Sequence, residues 1–145
     1  MNKDIFVALC DRLEKEVPSL RWIDEDLGQL NVGNSTRPAV DFPCCLIDIE
    51  YSGCRDLTDL CQLVDLKITL KLAFPYQGES YSKAPEKVRE KALDRYAVVS
   101  EVHDCLQGWT ADEMFSPLSR RNGRPSVMAG GIKTYTLVYG TTFEE

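Results

Sequence analysis

The side chains in this sequence best equipped for chemistry are six cysteines and one histidine. Cys10, Cys44, Cys45, Cys54, Cys61 and Cys105 form an even set, which in a secreted chain would suggest disulfides. The opening Met-Asn-Lys-Asp-Ile-Phe, however, starts an amphipathic pattern rather than the apolar stretch of a secretory signal. The expectation is therefore synthesis in a reducing cytoplasm, with buried or incidental thiols. No Cys-x-x-Cys pair occurs, whereas structural zinc takes ligands paired at short spacing. Cys54 and Cys61 lie in a loop-like stretch and match that spacing poorly. His103 falls on the apolar stripe of a predicted helix, where its neighbours Asp104 and Cys105 point away from it. It reads as a hydrogen-bonded histidine at the boundary of the core.

The remaining polar clusters are equally plain. Asp24, Glu25 and Asp26 lack the spaced ligand series and glycine turn of a calcium loop, and read as a solvated loop. Gly108, Gly123, Gly130 and Gly131 build no phosphate-cradling motif, and there is no nucleophile elbow. Gly130-Gly131 marks a turn into the last strand. Arg120, Arg121 and Arg124, with Asn122-Gly123 among them, read as a basic hairpin tip that could touch a phosphate backbone or an acidic neighbouring subunit. The reading assigns no catalytic, cofactor-binding or metal-binding residue.

At 145 residues the chain suits a single domain, 1–145, with a core of its own. A composition of 43% hydrophobic and 28% charged residues excludes wholesale disorder. The formal charge of -6 disfavours non-specific binding to nucleic acid, which rewards clustered Lys and Arg. No apolar run is long enough for a membrane span, so no membrane partner is expected.

Positioning falls to a small set of elements. Asn2 caps a first helix to about Glu16, whose apolar face is Ile5, Phe6, Leu9, Leu13 and Val17. Pro18 ends it, and a short strand is predicted over Leu20 to Asp24. Residues 25 to 43 form a long loop with a possible hairpin near Gln29 to Val32. A strand follows from Cys44 to Tyr51, then a polar connection over 52 to 62. From Val64 to Phe74 the alternation is strict: Val64, Leu66, Ile68, Leu70, Leu72 and Phe74 face one way, and Asp65, Lys67, Thr69, Lys71 and Ala73 the other. At about 3.3 Å per residue this strand is roughly 36 Å long, against a radius of gyration of about 15 Å for such a domain. Burying its apolar face stabilises by a gross amount of about 9 to 18 kcal/mol, so something must cover it. The predicted cover is a second helix, capped by Ser82 and stopping at Gly108, with the stripe Val88, Ala92, Tyr96, Val99, His103 and Leu106. A short strand is possible at Phe115 to Arg121, and a last one runs from Ile132 to Thr141. The fold class is α+β: a two-layer sandwich, a mostly antiparallel sheet of about four strands with two main helices packed on one face.

End to end, the segments "NKDIFVALCDRLEKEV", "DFPCCLIDIEY", "CQLVDLKITLKLAF", "KALDRYAVVSEVHDCLQGW" and "GIKTYTLVYGTTFEE" resemble, in order, the opening helix, first major strand, long strand, packing helix and closing strand of the tail terminator and tail-completion proteins of long-tailed bacteriophages. The resemblance implies a non-enzymatic structural protein of a phage or prophage. Such a protein caps the tail tube, joins it to the head connector, and acts as a homo-oligomeric ring, commonly of about six subunits. Its partners would be the tail tube protein and the head-completion protein, with DNA only in transit through the ring. It would be found in the host cytoplasm during assembly and then in the virion tail. Asp65, Lys67, Thr69, Lys71, Arg120, Arg121 and Arg124 are the candidate subunit or partner contacts.

Two other classes compete. One is an α+β binding module for a small protein partner or single-stranded nucleic acid. Stacking platforms need exposed aromatics; Asp65, Lys67, Thr69 and Lys71 supply none, although Tyr135 and Tyr139 could. The other is an enzyme, for which the usual general bases lack motif context.

Overall fold

The computed structural model describes residues 1–31 and 37–145. Helix α1, Lys3–Glu16, begins where Asn2 Oδ1 accepts the Asp4 N–H at 2.9 Å. It buries Ile5, Leu9 and Leu13, and the Val17 N–H closes its last turn on the Leu13 carbonyl. Five strands follow: β1 Trp22–Glu25, β2 Cys44–Thr58, β3 Cys61–Phe74, and, after helix α2 (Glu86–Leu106), β4 Ser119–Met128 and β5 Ile132–Glu144. They form a single sheet in the order β1-β2-β3-β5-β4. β1 lies parallel to β2 and every other pairing is antiparallel. The class is α+β as expected, with five strands where about four were predicted.

β3 is the middle strand, and its parity organises the rest. Val64, Leu66, Ile68, Leu70, Leu72 and Phe74 are all fully buried. They join Cys45, Ile47, Leu137, Tyr139 and Phe143 of neighbouring strands, Ile5, Leu9 and Leu13 of α1, and Val102, Cys105 and Leu106 of α2 in one core. The predicted cover needs correcting here. α2 does not line the whole strand, because Val88 and Tyr96 are 41% and 56% exposed and only Ala92 is buried in its first half. Ile5, Leu9 and Leu13 of α1 share the same core. The start of α2 also differs: Pro85 occupies the cap position without a side-chain cap bond, and Ser82 is not its cap. Gly108, at φ 79°, follows the helix end as predicted, and its N–H donates to the Leu118 carbonyl.

The described stretches between β1 and β2, residues 26–31 and 37–43, have a topological setting. Parallel strands need a crossover, since the chain leaves the top of β1 and must re-enter β2 at the bottom. The described part of this return packs on the face opposite the larger core, where Leu30, Val40 and Phe42 meet Cys44, Leu46, Ala73 and Ile132 in a second, smaller core. The possible hairpin near Gln29 to Val32 runs into residues 32–36, outside the described residues. Its described part is a turn, with the Asn31 N–H donating to the Gly28 carbonyl at 3.0 Å.

Two further predictions give way. Residues 52 to 62 are not a connection: β2 runs on to Thr58 and β3 starts at Cys61, with only Asp59 and Leu60 between them. Register shifts between Tyr51 and Gly53 and between Asp56 and Thr58 break the apolar alternation that would have marked the strand. Likewise the arginine run is no hairpin tip but part of β4, whose turn is at Gly130 and Gly131, both at positive φ. β3 is 14 residues long, about 46 Å at 3.3 Å per residue, so the β2–β3 hairpin outruns the core. Leu57 at 45% and Leu60 at 96% exposure lie near and at its tip.

Ile68→Ala is expected to lower the unfolding free energy by about 2–5 kcal/mol, by lost burial and the cavity left. Leu60→Ala should stay within about 0.5 kcal/mol of the parent. Urea titration of the two variants checks this, and similar losses would show that the hairpin tip is packed.

Candidate functional site

The candidate contacts are set out by the strand register. On the face away from the helices, three rows cross the sheet: Glu50–Lys67–Gly140–Ser119, Asp48–Thr69–Val138–Asn122 and Leu46–Lys71–Thr136–Arg124. Lys67 Nζ lies 3.5 Å from Glu50 Oε2 in an exposed cross-strand pair. Asp65 stands beside Gly53, where a Cβ would sit only 3.0 Å from Asp65 Oδ2. Arg121 is laid across β5: a Cβ on Gly140 would fall 2.6 Å from Arg121 Nε, so the glycine provides its seat. Between them runs an open groove of about 570 Å³ lined by Ser52, Asp65, Lys67, Ser116, Arg121 and Asn122, among others. All the candidates except Arg120 therefore share this face. Arg120 points to the helix side, close enough to act on the charge states of His103 and Tyr139.

Lys71 is engaged within the chain. Its Nζ lies 3.6 Å from Asp26 Oδ2, and both side chains are about three-quarters buried. The pair fastens the start of the crossover to β3, so the lower end of this face is already covered and the upper end is open. The acidic run is tied up the same way. Asp24 Oδ1 accepts the Glu25 N–H, Asp24 Oδ2 accepts from Gln29 Nε2, and Asp26 Oδ1 accepts the Gly28 N–H.

On the helix side, His103 Nδ1 and the Tyr139 hydroxyl are 2.9 Å apart, with Tyr139 fully buried. Burial lowers the histidine pKa from 6.5, and Arg120 pushes the same way against Asp104. Burial likewise raises the tyrosine pKa. This is the satisfied core-boundary histidine that the helical stripe predicted. Tyr135 also turns to the helix side, edge-on to Phe74 and hydrogen-bonded to Arg95. Burial pushes the thiols of Cys10, Cys44 and Cys105 up to about 11, and that of Cys45 well up, so all four are protonated near neutrality. Cys54 pairs with Val64 and Cys61 with Thr58 in the ladder. That register separates the two by about 10 Å along the hairpin, beyond the reach of a disulfide.

Sequence reasoning missed the exposed hairpin tip and the acidic edge formed by β1 and β2. Leu57 and Leu60, isolated in a polar stretch, were the available signal for the first. No family model matches this chain, and no curated protein matches it.

Because the fold depresses the His103 pKa, the unfolded chain takes up this proton first. This contribution is complete above about pH 6.5 and is lost as pH falls through the folded-state value. Urea midpoints should therefore drop as pH falls below about 6.5, and His103→Gln should flatten that part of the profile. A second expectation concerns the two lysines. Lys71→Glu places two carboxylates together and should speed amide exchange at Leu30 and Val40. The exposed Lys67→Glu should cost less than about 1 kcal/mol and leave those amides unchanged.

Proposed function

We propose that this protein is a non-enzymatic, ring-forming structural component of a phage or prophage tail, of the terminator type, capping the tail tube and presenting a surface to the head connector. In this reading it is a two-layer sandwich with both helices on one face, leaving the other face and the sheet edges to neighbouring subunits. The observation that carries it is the β2–β3 hairpin. That hairpin outruns its own core, and it holds Leu60 almost wholly, and Leu57 nearly half, in solvent. Paired at one hairpin tip, these two side chains are available to be covered by a neighbouring subunit. β1 pairs with Cys44 to Ile47 alone, so the rest of β2 carries no strand on its outer side among the described residues, and β4 is the opposite open edge. Open edges are managed by pairing, covering or charge, and a closed ring manages both at once.

The protein should sediment as a closed oligomer across micromolar concentrations and appear as rings in negative stain. Leu57→Ser with Leu60→Ser should leave the thermal midpoint unchanged and shift the protein to monomer. A wild-type chain that stays monomeric at every concentration overturns the reading.

A further inference from the structure

The two open edges of the sheet carry opposite charge. At one edge, β1 and β2 hold Asp24, Glu25, Asp48, Glu50 and Asp56, with Arg55 as the only cation. At the other, β4 holds Arg120, Arg121 and Arg124 and no acid at all. Glu25, Asp48 and the three arginines are exposed. Among the described residues, no carboxylate lies within ion-pair distance of any of these arginines. A net charge of -6 makes a wholly cationic strand a departure from the rest of the surface.

We infer that the β4 edge of one copy seats on the acidic β1–β2 edge of the next, a head-to-tail contact between unlike surfaces of the same chain. This inference rests on the ring reading and supplies its contact. The charges select the symmetry. A two-fold contact through β4 would set three arginines against three arginines, and one through β2 would set acids against acids. Like charges directly opposed across strands repel. The head-to-tail contact matches each cation with an acid, and repeating it closes a ring when the rotation per subunit allows. The backbone of β4 is unsuited to indiscriminate strand addition: Pro125 lacks an N–H, and the ladder shifts register between Arg120 and Asn122. Selection therefore falls to side-chain charge, which steers encounter and sets orientation.

The test is a charge swap. Arg121→Glu with Arg124→Glu reverses one edge, and Glu25→Arg with Asp48→Arg reverses the other. Circular dichroism and thermal melting serve as controls that both exposed pairs leave the fold intact. By sedimentation velocity at low salt, each variant alone should self-associate at least tenfold more weakly than wild type. An equimolar mixture should recover the oligomer, with the two chains in equal amounts by native mass spectrometry. Wild-type association should weaken as salt rises. If wild type forms rings and both variants do as well, the edge contact is wrong while the ring reading stands. If the mixture stays monomeric, or wild type forms two-fold dimers only, the head-to-tail arrangement is wrong. If wild type never associates, both readings fall. If the arginine reversal instead abolishes salt-sensitive binding of duplex DNA while assembly is unchanged, the cationic edge is a nucleic-acid surface and the inference is overturned.

Discussion

Everything in this molecule depends on the parity of β3. Six large apolar side chains on one face of a central strand have to leave water together, and the period of two leaves no freedom over which they are. A slip of one residue would bury Asp65, Lys67 and Lys71 and expose the core. That penalty fixes the register of β2 and β5 against β3, and through β5 that of β4. The outward residues are thus placed by the inward ones. The charged rows on the open face, and the position of the arginines at its far edge, follow from hydrophobic burial on the other side.

A second constraint is topological. Setting β1 parallel to β2 obliges the chain to cross the sheet, and the larger core already occupies one face. The crossover takes the other face. It brings Leu30, Val40 and Phe42 onto the lower strands and places Asp26 beside Lys71. Two lysines four residues apart on one strand therefore have different fates: Lys67 stays in solvent with Glu50, and Lys71 becomes a fastener for the crossover. Alternation alone treats them as equivalent, because it reports which face a residue is on and nothing about what crosses that face.

Legibility in the sequence followed the same division. The Asn2 cap, the buried face of α1, the inward set of β3, the Gly108 stop and the boundary role of His103 were readable, since each is decided by local chemistry or by a clean period. The far half of the β2–β3 hairpin was not, because bulges interrupt its alternation and solvent surrounds it on both sides, removing the apolar signal. β4 was hidden for the same reason: it is exposed nearly throughout and contains Asn122-Gly123, which in isolation favours a turn. Only pairing with β5 makes it a strand. The edge charges were present in the sequence, but their opposition across the sheet depends on strand order, which no local pattern encodes.

Strand order also explains how an open sheet with a projecting hairpin stays specific. The free stretch of β2 begins at the row of Asp48, level with Asn122 of β4, and extends upward to the hairpin, while β4 extends downward from the row of Ser119. The two open edges are therefore staggered along the strand direction. Two copies placed edge to edge with full overlap must shift along their strands relative to one another, and a shift repeated at each addition is accommodated by tilting the strands, as in the closure of a barrel. An assembly built this way has its handedness and tilt set inside the subunit, by where β1 ends and where β4 begins. The short β1 is then more than a remnant at the margin of the sheet. By stopping at Glu25 it determines how much of the outer side of β2 remains open.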